Sequence, residues 1–196
     1  MCKIEKVSVN NAKKIKIDKS LWGYDEYKPE VTLQISYDDL GFNVLYTVFE
    51  KNPKRDKKTH FEPVHEDSCV ELFLNFMPKS SEKYINFEVN ANGVMNVAFR
   101  KDRQNKKLLK KEEINDLGIK AEIFDNYWCV SYKISYDLIK GYYPDFDINT
   151  CEYLLGNAYK CGDKTNVPHY ISLFEVGCEK PDFHRPEYFN KFEILK

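Results

Sequence analysis

The sequence lacks the patterns that mark several common classes of protein. None of its six cysteines forms a Cys-X-X-Cys pair, and His65, His169 and His184 do not have a zinc-ligand spacing. The chain contains no P-loop, no dinucleotide-binding fingerprint and no Ser–His–Asp order. These absences argue against a zinc knuckle, a dithiol redox site, a nucleotide-dependent enzyme and a triad hydrolase.

Long hydrophobic runs are also missing. No apolar stretch approaches the roughly 20 residues of a transmembrane helix, so no membrane partner is expected. The N-terminal segment MCKIEKVSVNNAKKIKID has no apolar core of a signal peptide. We therefore expect a cytoplasmic protein with reduced thiols, or a secreted one if a leader has been lost. In an exported protein, Cys69 and Cys161 would be the pair to test for a disulfide.

Charge of one sign is not in excess, since the formal net charge is -1. The chain therefore has no overall attraction for nucleic acid or an anionic membrane. The basic stretch 51–65 has no aromatic residue among its Lys and Arg residues and is broken by two prolines, which favours a solvated loop. There is no internal repeat, low-complexity tract or linker, so residues 1–196 are predicted to form a single domain.

What the sequence does contain is short alternating segments rich in aromatic and β-branched residues. Aromatic residues reach 15%, which favours a β-rich chain. Alternation with period two predicts nine or ten strands in an antiparallel all-β sandwich with one or two short helices. The predicted strands are 3–9, 31–37, 42–50, 69–76, 84–91, 94–100, 119–124, 127–134, 153–160 and 189–195.

Three connections have signals of their own. Asn92-Gly93 between two alternating runs predicts a tight hairpin. Residues 135–145 fit one or two helical turns, with Ser135 as the N-cap and Gly141 as the stop. Residues 101–118 are highly charged and predict an exposed connection or a short helix. Trp22 lies in an irregular segment, where it would cap the core or cover a ligand site.

Two of these strands carry an unusual polar face. Within 69–76 and 84–91, apolar residues alternate with carboxylates, amides and aromatic rings. The polar set comprises Glu71, Asn75, Asn86, Glu88 and Asn90, with Phe73 and Tyr84 among them. Such a mixture suits a polyhydroxylated ligand, because sugar hydroxyls both donate and accept hydrogen bonds. An ordinary solvated sheet face is the alternative interpretation.

Four segments carry a resemblance to a known family: EDSCVELFL, YINFEVNANG, GNAYKCGD and PDFHRPEYF, in this order. Together they resemble the family 9 carbohydrate-binding modules, over about residues 60–195. The resemblance implies a β-sandwich of jelly-roll type that binds saccharides of the xylan or cellulose type without cleaving them. It also implies a sugar-binding role for Glu71, and it places Asn86, Glu88 and Asn90 on the next strand of the motif.

The chain departs from the family pattern at two positions. Saccharide-binding members hold a sugar ring between two tryptophans, and this chain has His65 at one corresponding position and Leu173-Phe174 near the other. The predicted carbohydrate site therefore consists of His65, Glu71, Asn86, Glu88, Asn90 and Phe174. Loss of both tryptophans leaves a second hypothesis open, namely a protein-interaction or structural domain that no longer binds sugar.

Two further hypotheses rest on the acidic residues. Glu71 and Glu88 as cross-strand neighbours would have the spacing of a retaining glycosidase, although the family is non-catalytic and we expect no enzyme. No cofactor is expected, but a structural calcium ion is possible in this family, and Glu66-Asp67 is the candidate pair for it. A turn at the start of the strand explains this pair equally well.

Overall fold

The computed structural model describes residues 2–196, which form fourteen strands and two short helices. The helices are α1 (Lys111–Asn115) and α2 (Tyr136–Tyr142). The strands are β1 (Cys2–Ile4), β2 (Ile15–Ile17), β3 (Lys19–Ser20), β4 (Glu30–Tyr37), β5 (Gly41–Phe49), β6 (Cys69–Asn75), β7 (Tyr84–Asn90), β8 (Met95–Arg100), β9 (Lys106–Leu108), β10 (Lys120–Ile123), β11 (Trp128–Ser135), β12 (Tyr153–Cys161), β13 (Tyr170–Ser172) and β14 (Asn190–Ile194).

These strands form two sheets that make a sandwich. The larger sheet has the order β1-β14-β12-β6-β7-β8-β9, with β13 paired to β12 and β3 paired to β13. The smaller sheet has the order β10-β11-β5-β4-β2. Neighbouring strands are antiparallel apart from β1 and β14, which are parallel. The predicted all-β sandwich is therefore confirmed.

The main core lies between the two sheets and is built by alternation. On β6, Val70, Leu72 and Leu74 are buried against the smaller sheet. Trp128 on β11 is fully buried in the same core, as its place in the alternating pattern predicted. The remaining residues of β6 and β7 must then project from the outer face of the larger sheet, because successive side chains point to opposite sides.

A second, smaller core covers this outer face. It contains Cys69, Phe73, Tyr84, Tyr159 and Cys161 from the sheet. Loop residues from two distant parts of the chain complete it, among them Leu21, Val176 and Phe183. The outer face of the larger sheet is thus mostly covered by loops rather than open to solvent.

The predicted elements differ from the structure mainly at short strands. Strands β2, β3, β9 and β13 were not predicted, since two or three residues are too short to show a period. The predicted strand 3–9 shortens to β1, and residues 9–11 form a 3₁₀ turn. The hairpin at Asn92-Gly93 is present, with Gly93 at φ 78°, which favours glycine.

The helix after β11 begins as predicted and ends one residue later. The Ser135 hydroxyl accepts a hydrogen bond from the backbone N–H of Leu138 at 3.2 Å, which confirms the N-cap. Gly141 is inside α2, which continues to Tyr142, so the predicted stop was wrong. No helix formed by residues 2–196 has the length and apolar character needed to cross a membrane.

Candidate functional site

The polar residues predicted to share a face do share it. In the pairing of β6 with β7, Glu71 is opposite Glu88 and Phe73 is opposite Asn86. On the next strand, Asn96 is opposite Glu88. Because paired residues project to the same side, the acids and amides form one continuous patch on the outer face of the larger sheet.

One end of this patch is sealed by the basic loop. Asn90 donates to the carboxylate of Asp67 at 2.9 Å and to the Lys57 carbonyl at 3.1 Å. The Asp67 carboxylate also accepts from the Lys57 backbone N–H at 2.8 Å and lies 3.4 Å from Lys54 Nζ. Asn90 and Asp67 are fully buried. Their hydrogen bonds hold residues 54–68 against the end of the sheet, which is a structural role.

The other end is covered by rings. The imidazole of His184 stacks on Phe73 with centroids 4.9 Å apart, and its Nδ1 lies 3.0 Å from the Tyr84 hydroxyl. Phe183 stacks on Tyr159 at 4.1 Å. Burial, followed by the nearby Arg100, lowers the pKa of His184 to about 3, so the ring is neutral. His184 thus ties the loop before the last strand to the sheet.

Between the two covered ends the patch opens into a cavity of about 220 Å³. Its walls come from several separate parts of the chain, and its floor is the middle of the polar patch. The lining residues are Trp22, His65, Glu71, Glu88, Asn96, Arg100, Arg103, Lys106, Cys161, Asp163, Tyr170, Pro181, Asp182, Phe183 and His184.

An aromatic wall forms one side of this cavity. The indole of Trp22 packs edge-on against Tyr170 at 5.5 Å and lies 5.6 Å from the ring of Phe183. Its Nε1 donates to the carbonyl of Cys178 at 2.6 Å. Trp22 has φ 59°, a left-handed conformation that costs a non-glycine residue about 1 kcal/mol or more. The strained turn and the indole hydrogen bond fix the ring at the cavity.

The floor of the cavity is a network of acid, amide and guanidinium groups. Glu88 accepts from Asn86 at 2.8 Å with Oε1 and from Asn96 at 2.9 Å with Oε2. Arg100 donates to the Asn86 side-chain oxygen, and its Nη2 is 4.0 Å from Glu88. Since each group is held by another, the floor is preorganised for a polar ligand.

The acids of the floor and wall have raised pKa values. Burial, and then the repulsion of Glu88, raises the pKa of Glu71 well above its ordinary value of 4.5. Burial also raises the pKa of Glu88, although Asn96 and Arg100 oppose the shift. Asp163 on the wall has a pKa raised by burial, against the effect of His65. A protonated carboxyl can donate as well as accept a hydrogen bond.

The six predicted site residues divide into three groups. His65, Glu71 and Glu88 line the cavity. Asn86 is fully buried behind Glu88, and Asn90 anchors the basic loop, so neither reaches the cavity. Phe174 is also outside it: its ring packs on Phe192 at 5.9 Å, and the Asn157 amide holds its backbone. The expectation that Phe174 joins His65 in a stacking pair is not met, because the chain after β13 turns Phe174 toward the main core.

Sequence reasoning missed the aromatic wall. Of the two roles that the sequence left open for Trp22, core cap or ligand cover, the structure gives it a surface on the cavity. Tyr170, Phe183 and Asp163 were not singled out. They come from loops with no periodic pattern, so only the adjacent Trp22-Gly23 turn offered a signal.

The acidic pair Glu66-Asp67 is engaged with lysines. Glu66 lies 2.8 Å from Lys57 Nζ and 2.7 Å from Lys164 Nζ. These contacts lower the pKa of Glu66 to about 2. Together with the Asp67 contacts above, they describe a loop anchor, in which the carboxylate oxygens that calcium would need are already bound to cations.

Comparisons with known proteins place the chain in a family. A family model described as "Carbohydrate-binding family 9" matches residues 3–194. The fold is similar to a candidate carbohydrate-binding protein from Bacteroides uniformis ATCC 8492, with a TM-score of 0.81, 22% identity and coverage of 100% of this chain and 97% of that one. No curated protein matches the chain significantly.

Two further similar structures show a family 9 carbohydrate-binding module from Caldicellulosiruptor kristjanssonii. In complex with glucose it matches with a TM-score of 0.69, 13% identity and coverage of 98% of this chain and 94% of that one. In complex with cellotriose the TM-score is 0.67, the identity is 13%, and the coverage is 98% and 92%. At these identities the similarity shows the shared fold.

Proposed function

Since the chain belongs to carbohydrate-binding family 9, we propose that it is a non-catalytic module that binds a saccharide in the cavity above Glu71 and Glu88. The observation that carries the proposal is the pairing of an aromatic wall with a polar floor in one opening. Aromatic rings cover the apolar C–H face of a pyranose, and the floor supplies donors and acceptors for its hydroxyls.

The size of the cavity favours a single sugar ring. Pockets for drug-sized ligands have volumes of about 300–1,000 Å³, and this cavity is smaller at about 220 Å³. The proposed ligand is therefore a monosaccharide or the terminal ring of an oligosaccharide. Glucose and cellotriose, which the similar modules contain, are the first ligands to test.

Trp22 and Tyr170 take over the contact area that two family tryptophans would supply. Trp22 is held by its hydrogen bond to Cys178 and by its contact with Tyr170. A ring fixed before the ligand arrives loses little conformational entropy on binding. The module thus keeps an aromatic contact for a sugar, although His65 stands where one tryptophan is expected.

Cleavage is not part of the proposal. A retaining glycosidase needs one carboxylate that is ionised as the nucleophile and a second group that is the acid. Here burial raises the pKa of both Glu71 and Glu88, and both oxygens of Glu88 accept hydrogen bonds from amides. We expect no turnover of aryl glycosides by the protein or by Glu71→Gln.

Calorimetric titration with glucose, xylose, cellotriose and xylotriose tests the proposal, with a chelator present to remove metal ions. We expect heat of binding with at least one of these sugars at millimolar concentration. Trp22→Ala should weaken the affinity by about tenfold or more, because it removes the fixed ring, which corresponds to about 1.4 kcal/mol.

Phe124→Ala is the matched control, since Phe124 is an exposed aromatic residue at the end of β10 in the other sheet. Its affinity should equal that of the unchanged protein. Trp22→Phe keeps a ring but loses the Nε1–H donor, so its affinity should lie between that of Trp22→Ala and that of the unchanged protein. Absence of heat with every sugar would contradict the proposal and favour the domain that no longer binds sugar.

A further inference from the structure

Two cysteines and a glutamate meet at the floor of the cavity. Cys69 and Cys161 are direct cross-strand partners of β6 and β12, and Glu71 lies two residues along β6 on the same face. Their two Sγ atoms and a Glu71 oxygen all lie within 4.8 Å of one another. Cys161 Sγ is 3.2 Å from Glu71 Oε1, and all three residues are buried.

We propose that Cys69, Cys161 and Glu71 bind one Zn²⁺ ion, with a fourth coordination position open to the cavity. Glu71 and Cys161 line the cavity, so an ion and a water molecule reach the site from that side. Cys69 is fully buried at the far side of the group. Three protein ligands and one open position are the arrangement of zinc sites that keep a water ligand.

The donor atoms select zinc over calcium or magnesium. Thiolates are soft ligands that favour zinc, whereas calcium and magnesium require a shell of oxygen atoms. Tetrahedral zinc with Zn–S bonds of about 2.3 Å places two sulfurs about 3.8 Å apart. The present spacing of at most 4.8 Å therefore needs only a small inward movement of the thiol groups.

Metal binding exchanges the protons of the three ligands for one ion. The two thiols and the carboxyl lose their protons to solvent, and two Zn–S bonds and one Zn–O bond form. No oxidant is involved, and both cysteines are free in the structure. The Cys161–Glu71 hydrogen bond, which now joins two of the ligands, is replaced by their shared bond to the ion.

This site shares Glu71 with the floor of the proposed saccharide site, but the two kinds of binding are measured separately. Zinc would occupy the floor beside β12, whereas the aromatic wall of Trp22 and Tyr170 lies at another side of the same opening. Zinc binding is measured without sugar, and sugar binding is measured with a chelator. Zinc binding can therefore be absent while saccharide binding is observed, and the reverse.

Cobalt substitution tests the proposal on the full chain. The protein is reduced with a non-thiol phosphine, freed of metal and titrated with Co²⁺ under nitrogen. We expect one Co²⁺ per chain and the near-ultraviolet charge-transfer absorption that thiolate–cobalt bonds produce. Zn²⁺ should then displace the Co²⁺ at one equivalent and raise the melting temperature.

Cys69→Ser and Cys161→Ser should each abolish or strongly weaken this absorption, and Glu71→Gln should weaken the binding. Cys129→Ser is the matched control, since Cys129 lies on β11 of the other sheet, and it should bind like the unchanged protein. Circular dichroism of each variant establishes that it is folded. The proposal is overturned if reduced protein gives no thiolate–cobalt absorption, or if the absorption survives in both Cys69→Ser and Cys161→Ser.

Discussion

Two groups of buried acids lie on opposite sides of the same sheet, and their environments are opposite. On the inner side, Glu50 meets the fully buried Lys160 at 3.5 Å. Its oxygens also accept hydrogen bonds from Ser68 at 2.8 Å and from Trp128 at 3.0 Å. On the outer side, Glu71 and Glu88 face each other under the cavity, and the Arg100 guanidinium approaches Glu88 only to 4.0 Å.

The ionisation of the two groups differs accordingly. Burial alone would raise the pKa of Glu50, but Lys160, Trp128 and Ser68 outweigh it and lower the pKa below 4.5. Burial and mutual repulsion raise the pKa of Glu71 instead. A buried carboxylate with a lysine at 3.5 Å and complete hydrogen bonds becomes part of the framework. Two facing carboxyls whose only ion-pair contact is Arg100 at 4.0 Å have raised pKa values and line the cavity instead.

Removal of Lys160 should have the largest effect on the difference between the two groups of acids. Lys160→Met leaves Glu50 buried without the ammonium group that lies 3.5 Å from it. We expect a loss of about 3–5 kcal/mol in the free energy of unfolding, the usual result of stranding one member of a buried ion pair. Urea denaturation measures it. The double variant Lys160→Met/Glu50→Gln should recover part of the loss. Lys164→Met, in the turn after β12, should cost much less, because its ion pair with Glu66 is at the surface.

The pH dependence of stability should separate the two groups. The folded pKa of Glu50 is lowered, so its contribution is present above pH 4.5 and is lost as the pH falls through the folded pKa. The folded pKa values of Glu71 and Glu88 are raised, so the pair destabilises the fold as the pH rises above 4.5. A tenfold change in the proton affinity of one carboxyl between the folded and unfolded states corresponds to about 1.4 kcal/mol.

Denaturation midpoints across this pH range, measured in chelator, provide the comparison. The difference between unchanged protein and Glu50→Gln should vary mainly below pH 4.5. The difference from Glu71→Gln/Glu88→Gln should vary mainly above pH 4.5. If both difference profiles have the same shape, the contrast between the two sides of the sheet is wrong.

A smaller effect is expected from the amide that supports the outer pair. Asn96 donates to Glu88 Oε2 and lines the cavity. Asn96→Ala should weaken saccharide binding by about fivefold, or about 1 kcal/mol, since it removes one hydrogen-bonding group from the floor. Titration with the best sugar measures this change. Asn149→Ala, an exposed amide in a distant loop, should leave the affinity unchanged.

The smallest effect concerns the stability of Glu71→Gln. Because burial and the repulsion of Glu88 raise the pKa of Glu71 well above 4.5, the fold favours the neutral carboxyl, and a neutral amide of the same size should change the free energy of unfolding by less than about 1 kcal/mol. Chemical denaturation of metal-free protein checks this. A loss as large as that of Lys160→Met would mean that Glu71 is ionised in the folded state.

The polar patch was predictable because it depends on alternation alone. Glu71 and Glu88 have the same parity on two strands joined by a short turn, and pairing then places them on one face. Lys160 was not predictable. It lies within an alternating strand as an ordinary lysine would, and only the approach of Glu50 from the other sheet makes a buried lysine tolerable.

The burial of the outer face also could not be predicted from the sequence. Asn86 and Asn90 have the residue type and parity of ligand-binding groups, yet one supports Glu88 and the other anchors a loop. Which amide reaches a ligand depends on where residues 54–68 and 174–189 cross the sheet. These loops have no periodicity, and their contacts join residues far apart in the chain.

The local order of the chain by itself determined that β6 and β7 have one apolar side and one polar side, since side chains alternate whatever surrounds them. The tertiary structure decided which part of the polar side stays open and which acids have raised or lowered pKa values. Trp22 in the aromatic wall and Lys160 beside Glu50 come from segments that are distant in the chain. Burial and charge act on the acids through space rather than along the chain.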